Sequence, residues 1–425
     1  MTAQARSAVA PEVDGKSLWR RLAELAEIGR TPSGGVTRLA LTEDDARGRR
    51  LVESWLAESG CEIGHDAIGN TIAVLPGTDP ELAPVLLGSH IDSVADAGRF
   101  DGCLGVVGAV EIMRAVASGA RPRRSLAVAV FTDEEGARFG RDLLGSSVTC
   151  GLLAPADALA HRDADGTAVD DELRRHELSG SAPLLVERPP HAYLETHIEQ
   201  GPILLREDLP VAAVTGVIGT SWTRVTFTGA AAHAGATPMD MRRDAGLAMA
   251  ALRLRLHALA GEHPQTTLAV GDMNTLPGQI NVVPGSATLT IDLRAPDESV
   301  LTKVEDAIRP LAEQVAAEYD CELTACERMS RTAPAVFAPE MVNRVVERLD
   351  ARGLATRQLW SGAGHDAQQL ATISPTAMVF VRSQRDGISH SDKEWSLPDD
   401  CALGVQLMCD VAVDLANEGP QLSER

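Results

Sequence analysis

"GSHIDSVADAGRFDGCLGVVGAVE", residues 88–111, leaves the apolar run "APVLLGSH" (83–90) and at once sets down His90 and three aspartates, Asp92, Asp96 and Asp101. Unpaired charge is costly to bury, so acids and an imidazole this close to a buried strand need a counter-charge. A second acidic pair, Glu134 and Glu135, follows another apolar run in "RSLAVAVFTDEEG" (124–136). Between the two runs lies "LGVVGAVEIMRAVA" (104–117), an apolar helical pattern. Strand, helix, strand is the unit of a parallel sheet covered by helices. In such sheets ligands bind beyond the carboxyl ends of the strands, and both acidic clusters fall there.

Working outward, "TEDDARGRRLVESWLAESG" (42–60) predicts a helix capped by Thr42, with acids in its first turn and Gly60 closing it. A strand is expected at "NTIAVLPG" (70–77). After about residue 212 the rhythm changes. The order "TSWTRVTFTG", "RRDAGLAMAALRLRLHALAG", "TLAVGDM", "GSATLTIDLRA", "SVLTKVEDAIRPLAEQVAAEY", "CELTACERM" reads strand-helix-strand-strand-helix-strand, a small ferredoxin-like α+β sandwich. After about 331 the first pattern returns, with "SPTAMVFVRSQ" as strand and "DDCALGVQLMCDVAVDLANE" as terminal helix. The expectation is an α/β domain over 1–211 and 331–425, its mostly parallel sheet flanked by helices, with an α+β domain inserted at 212–330. The polar stretch 155–190 reads as a surface excursion.

Composition narrows the function classes. A formal charge of −21 argues against nucleic acid and anionic membranes as partners. No apolar run approaches the roughly 20 residues of a bilayer span, and the opening "MTAQARSAVAPEVDGKSLW" has no secretory apolar segment. Seven scattered cysteines without a CxxC pair suit reduced thiols in a cytoplasm. With lysine only at 16, 303 and 393, Schiff-base chemistry and a P-loop have no support.

His, Asp and Glu together are the ligands of a divalent metal in a catalytic site. One arrangement has His90 as ligand and Asp92 accepting its other ring N–H as an orienter. Asp101 heads the turn into the next helix. Of adjacent Glu134 and Glu135, one is free to bind metal while the other shuttles a proton. His197 in "ETHIEQG" and His390 in "DGISHS" bring imidazoles from elsewhere in the chain. His65, His161, His176, His191, His257 and His263 have no such neighbours and read as structural or surface residues.

"GSHIDSVADAGRFDGCLGV", "TDEEGARFG", "HIEQGP", "AAHAGATPMDMRRDA", "PGQINVVPG", "SGAGHDA" and "GISHS" follow one another here. In that order they resemble the dinuclear-metal amidohydrolases of the aminoacylase and carboxypeptidase-like superfamily. The branch resembled holds N-carbamoyl-L-amino-acid hydrolase, allantoate amidohydrolase and β-ureidopropionase. The likeness spans roughly residues 20–415; "VADAG" (94–98) stands where the branch often has Pro-Asn-Gly-Gly.

The resemblance implies one metal on His90, Asp101 and His197. It implies a second on Asp101, Glu135 and His390, with Asp101 as the carboxylate that spans two ions about 3.5–4 Å apart. Glu134 is implied as general base, and Gln200, His233, Asn281, Arg294, Gly362 and His365 as contacts to a small ureido acid. Arg294 would be a carboxylate clamp. His365 and Asp366 either shape the site wall or are purely structural. The inserted domain is implied as lid and homodimer contact, with His233 reaching the partner's site. Zinc, manganese, cobalt and nickel all suit such ligands.

The implied activity is hydrolysis of linear N-carbamoyl compounds, N-carbamoyl-L-amino acids first. Allantoate and N-carbamoyl-β-alanine are alternatives, and dipeptidase or aminoacylase activity a more distant one. A metal-carrying protein without catalysis is the rival from another class; it would have no use for Glu134.

Overall fold

The structure is a computed structural model, and it describes residues 10–419; the N-terminal leader reading above rests largely on residues outside that range. The chain divides into two units, one running to Thr215 and resuming at Val336, the other Gly216–Ala335. These breaks fall a few residues beyond the expected 211 and 331. The first moves because β6 (Val211–Val217) hydrogen-bonds in the first unit's sheet, where Ala213 pairs with Val379.

In the first unit the strands before the insertion are β1 (Glu62–His65), β2 (Thr71–Leu75), β3 (Val85–His90), β4 (Leu126–Phe131), β5 (Ala192–Ile198) and β6. The inserted unit holds β7 (Gly219–Thr228), β8 (Ala232–His233), β9 (Thr267–Leu276), β10 (Val282–Val283), β11 (Ser286–Ala295) and β12 (Glu322–Thr332). β13 (Ala335–Val336), β14 (Gln358–Ser361) and β15 (Thr376–Val381) follow.

The large sheet runs β1-β2-β4-β3-β5-β15-β6-β13, with β14 against β6. Its centre, β4-β3-β5-β15, is parallel. The pairs β1–β2, β2–β4 and β15–β6 are antiparallel, so the sheet is mixed at its flanks rather than parallel throughout. The central strands are buried along their whole length, the continuous apolar pattern that a sheet covered on both faces requires. The helix Cys103–Ala117 crosses from β3 to β4 and is buried at nearly every position. Helix Glu43–Glu58 starts at Thr42, whose hydroxyl accepts from the Asp45 amide, and Gly60 beyond its end has φ +78°.

Arg49 in that helix is wholly buried. It pairs with Asp45 at 3.1 Å and donates to the carbonyls of Gly69 (3.0 Å) and Phe131 (2.9 Å). A buried guanidinium with its donors satisfied fixes the exit of β4. The 155–190 stretch is not a mere excursion: its short helices Pro155–Leu159 and Val169–Arg175 put Ala158, Val169 and Leu173 into a core with Leu41, Ile68 and Leu144.

The second unit is a four-stranded antiparallel sheet, β12-β7-β11-β9. Along β7, Val225 and Phe227 are buried while Trp222 and Arg224 point outward, the period of two of a one-sided sheet. The buried face packs on helices Ala245–Gly261 and Glu298–Glu318 through Leu252, Leu256, Ile308 and Val315. Full burial of each such side chain is worth about 1.5–3 kcal/mol. No helix among the described residues is long and apolar enough to cross a membrane.

Candidate metal centre and active site

The four central strands deliver the chemistry at one end. His90 is the last residue of β3, and His197 is the penultimate residue of β5. Asp101 stands near the end of the loop after β3, Glu134 and Glu135 near the start of the loop after β4, and His390 within the loop after β15. Among the described residues three groups of possible ligand atoms result: His90, Asp101 and His197; Asp101, Glu135 and His390; and a third of Glu195, His197 and His365, in which Glu195 is already held by hydrogen bonds from Ser89, Tyr193 and the Ala367 amide.

Asp101 belongs to both through different oxygens. Its Oδ1 lies 3.2 Å from His197 Nε2 and 3.7 Å from His90 Nε2. Its Oδ2 lies 3.3 Å from His390 Nε2, which is itself 3.3 Å from Glu135 Oε2. Glu134 is buried beside them, with Oε2 3.5 Å from His90 Nε2.

Hydrogen bonds set the ring tautomers. His90 Nδ1 lies 3.0 Å from the Asp92 carbonyl, and His197 Nδ1 lies 2.9 Å from the Ile198 carbonyl. A carbonyl only accepts, so each Nδ1 carries the proton and each Nε2 turns a lone pair into the cluster. This corrects the expected role of the Asp92 side chain, whose Oδ1 stands 3.8 Å from His90. The Asp92 carboxylate accepts instead from the backbone N–H groups of Glu134 (3.3 Å) and Glu135 (3.2 Å). One residue thereby aims the β3 imidazole with its carbonyl and holds the glutamate loop with its side chain.

The charge balance asks for cations. Burial, then the carboxylates of Asp366, Glu135, Asp101 and Asp92, push Glu134 well above the ordinary carboxylate range. Burial and then Asp101 push Glu135 up in the same way. Against the penalty of burial, Asp101 lifts His197 to about 9, so with no cation beside it Nε2 takes up a proton that a bound metal ion would displace. Glu135 Oε1 is buried with no hydrogen-bond partner. Lone pairs from imidazoles, an orphaned carboxylate oxygen and a surplus of buried negative charge are a fitting donor set for divalent metal.

Other expected contacts are placed as follows. Gln200, with φ 54°, donates through Nε2 to Asp101 Oδ2 at 2.8 Å. His365 is buried with Nε2 2.7 Å from Ser361 Oγ, its ring 4.3 Å from that of His197. Burial, with His197 beside it, holds His365 well below its usual range, so it is neutral. Gly362 lies in the exposed turn between Ser361 and His365.

In the second unit His233 and Asn281 are neighbours, since β8 pairs with β10 and the Ala234 amide donates to the Asn281 carbonyl at 3.0 Å. His233 Nδ1 accepts from the amides of Gly235 (3.0 Å) and Ala236 (3.1 Å). Its proton therefore sits on Nε2, an exposed donor. Arg294 grips both oxygens of Asp292, with contacts of 2.9–3.2 Å; an ion pair is the alternative that the sequence leaves open beside the carboxylate clamp.

Two buried acids were missed. Glu195 accepts from Ser89 Oγ (2.7 Å), Tyr193 Oη and the Ala367 amide (both 3.0 Å). Its position two residues before His197 on a buried strand was a usable signal. Glu394 gave none, because "SDKEW" reads as a solvated turn.

Residues 86–414 match the model of peptidase family M20/M25/M40. The chain belongs to that family. It is 42% identical to an N-carbamoyl-L-amino acid amidohydrolase of Geobacillus stearothermophilus, over 95% of this chain and 99% of the relative. It is 35% identical to a ureidoglycolate hydrolase of Arabidopsis thaliana, over 93% and 85% of the two chains. Among solved structures, an amidase of the hydantoinase/carbamoylase family from Burkholderia multivorans superposes with a TM-score of 0.91 at 40% identity, covering 96% and 99%.

Proposed function

We propose that the chain is a two-metal amidohydrolase that cleaves the ureido C–N bond of N-carbamoyl-L-amino acids. The observation that carries this reading is Asp101, with one oxygen toward His90 and His197 and the other toward His390, beside a glutamate outside both triads. His90, Asp101 and His197 would hold one divalent ion, and Asp101, Glu135 and His390 the other. Such ions, when bound, supply Lewis acidity that activates water and polarises a carbonyl.

The chain's own residues do the rest. Glu134 takes a proton from the attacking water and delivers it to the leaving nitrogen. The water's hydroxyl goes to the carbonyl carbon as the C–N bond breaks, and the released carbamate decomposes to carbon dioxide and ammonia. His233, with Nε2–H exposed, donates a hydrogen bond to the oxygen that gains charge. Asn281, Gln200, Arg294, His365 and Gly362 line the substrate's path, with Arg294 on its carboxylate. The inserted unit serves as lid and as the contact of a homodimer, and seven unpaired cysteines suit a cytoplasmic enzyme.

The test is ammonia release over N-carbamoyl-L-amino acids, allantoate, ureidoglycolate and N-carbamoyl-β-alanine, before and after chelation. N-Carbamoyl-L-amino acids should give the highest kcat/KM. Chelation should abolish turnover, and Mn, Co or Zn should restore it. A preference for another ureido acid transfers the assignment to it, and undiminished turnover in chelator sinks the metal mechanism.

A further inference from the structure

Glu394 is 3% exposed and sits four residues after His390, on the same loop. Its Oε1 accepts the amide of Phe100 at 2.9 Å and the amide of Asp101 at 3.2 Å. Its Oε2 accepts Ser389 Oγ at 2.7 Å. One carboxylate thus holds the peptide of the shared ligand Asp101 with one oxygen and the residue beside His390 with the other. We propose that Glu394 is a positioning residue that ties the loop of Asp101 to the loop of His390 and so builds the second metal triad; this rests on the two-metal reading above.

The two triads differ in how their ligands are held. His90 and His197 stand on adjacent buried strands, each with Nδ1 fixed by a carbonyl. His390 is on a loop, half exposed, with φ 52°. Its place depends on what clamps that loop. Glu394 is the buried clamp, and its neighbours reinforce it.

Trp395 packs edge-on against Phe100, at 5.8 Å between centroids, and against Trp19 at 5.6 Å. Arg99 lies over the Trp395 ring at 4.5 Å. Gly98 leaves the room: a Cβ there would collide with the Glu394 side chain. Charge-assisted bonds from two amides and a hydroxyl make the carboxylate a stiff link, and partners of this kind typically set metal affinity by about 10–100-fold.

The experiment is Zn(II) titration of the metal-free chain against a chromophoric chelator, with thermal melting as a fold control. Wild type should take up two ions. Glu394→Ala should keep the tighter ion within about threefold and bind the other about 10–100-fold more weakly. Glu394→Gln should recover most of that loss, because its amide oxygen can take the two N–H groups while its NH₂ donates to Ser389. Should the alanine chain not fold, Glu394→Asp keeps the charge but draws the carboxylate back by one methylene from the Phe100 and Asp101 amides and from Ser389, and should weaken the same ion selectively. Equal weakening of both ions, or two unchanged affinities, overturns the positioning role and leaves the two-metal reading standing. A wild-type chain that takes up a single ion overturns both.

Discussion

At the scale of the residue, the proposed mechanism gives metal binding to Asp101 and proton transfer to Glu134. Asp101 offers one oxygen to each triad, so a side chain without a carboxylate leaves both triads a ligand short. Glu134 lies 3.5 Å from His90 Nε2 yet belongs to neither triad, and its loop is held by the Asp92 carboxylate rather than by its own side chain. Asp101→Ala should therefore lose both metal and turnover. Glu134→Gln is nearly isosteric; it should retain the wild-type metal content while kcat falls by at least about 10²-fold. Metal analysis and kinetics on the same preparations check both. Near-normal turnover in the glutamine variant would remove Glu134 from the mechanism.

At the scale of the element, the site is made where β3 meets the helix Cys103–Ala117. Gly102, the residue before that helix, has φ +62°, and a Cβ there would run into the His90 imidazole. Its amide lies 3.1 Å from His197 Nε2. Gly102→Ala strains the start of the helix, since the Gly102 carbonyl accepts from the Gly105 and Val106 amides, but the buried helix and central strands beyond it should stay folded. It should still displace His90 and weaken metal binding on the order of 10-fold or more. Unchanged affinity with an unchanged circular dichroism spectrum would show that His90 has room to spare.

This junction was legible in the sequence because its signals are periodic and local: an apolar strand, an apolar helix, and acids between them. Thr42 and Gly60 were legible as helix punctuation for the same reason. Other features depend on chain segments far apart in sequence. Glu394 contacts residues nearly three hundred positions away, so "SDKEW" carries no local trace of its burial. For Asp92 the expected neighbour, His90, is met by the carbonyl rather than the carboxylate, since alternation along an extended chain does not say which of the two meets the ring. The antiparallel flanks of the large sheet come from pairing, which no single strand encodes. The buried faces of Ala158, Val169 and Leu173 were hidden in a stretch whose average is polar.

At the scale of the whole molecule, the second unit presents features that a second copy would cover. β9 is the edge of its sheet, and Leu254 on helix Ala245–Gly261 is 73% exposed. An open strand edge is a pairing surface that proteins rarely leave exposed, and an exposed leucine on the outer face of the helix adds apolar surface. The proposed homodimer with His233 acting across it makes a sharp demand. His233→Ala and Glu134→Gln chains should each be nearly inactive alone, the first because a preorganised donor to a developing oxyanion is worth about 10²–10³ in kcat. Mixed and allowed to exchange, they should form heterodimers in which one site combines an intact Glu134 with an intact His233 from the other chain. Its counterpart carries both lesions. With random exchange of equal amounts, half the dimers are mixed and each has one working site. Activity should then recover to about a quarter of wild type for a two-fold symmetric dimer. Native mass spectrometry of differently tagged chains verifies that mixed dimers are present. If they are and the mixture stays inactive, His233 does not act across the dimer.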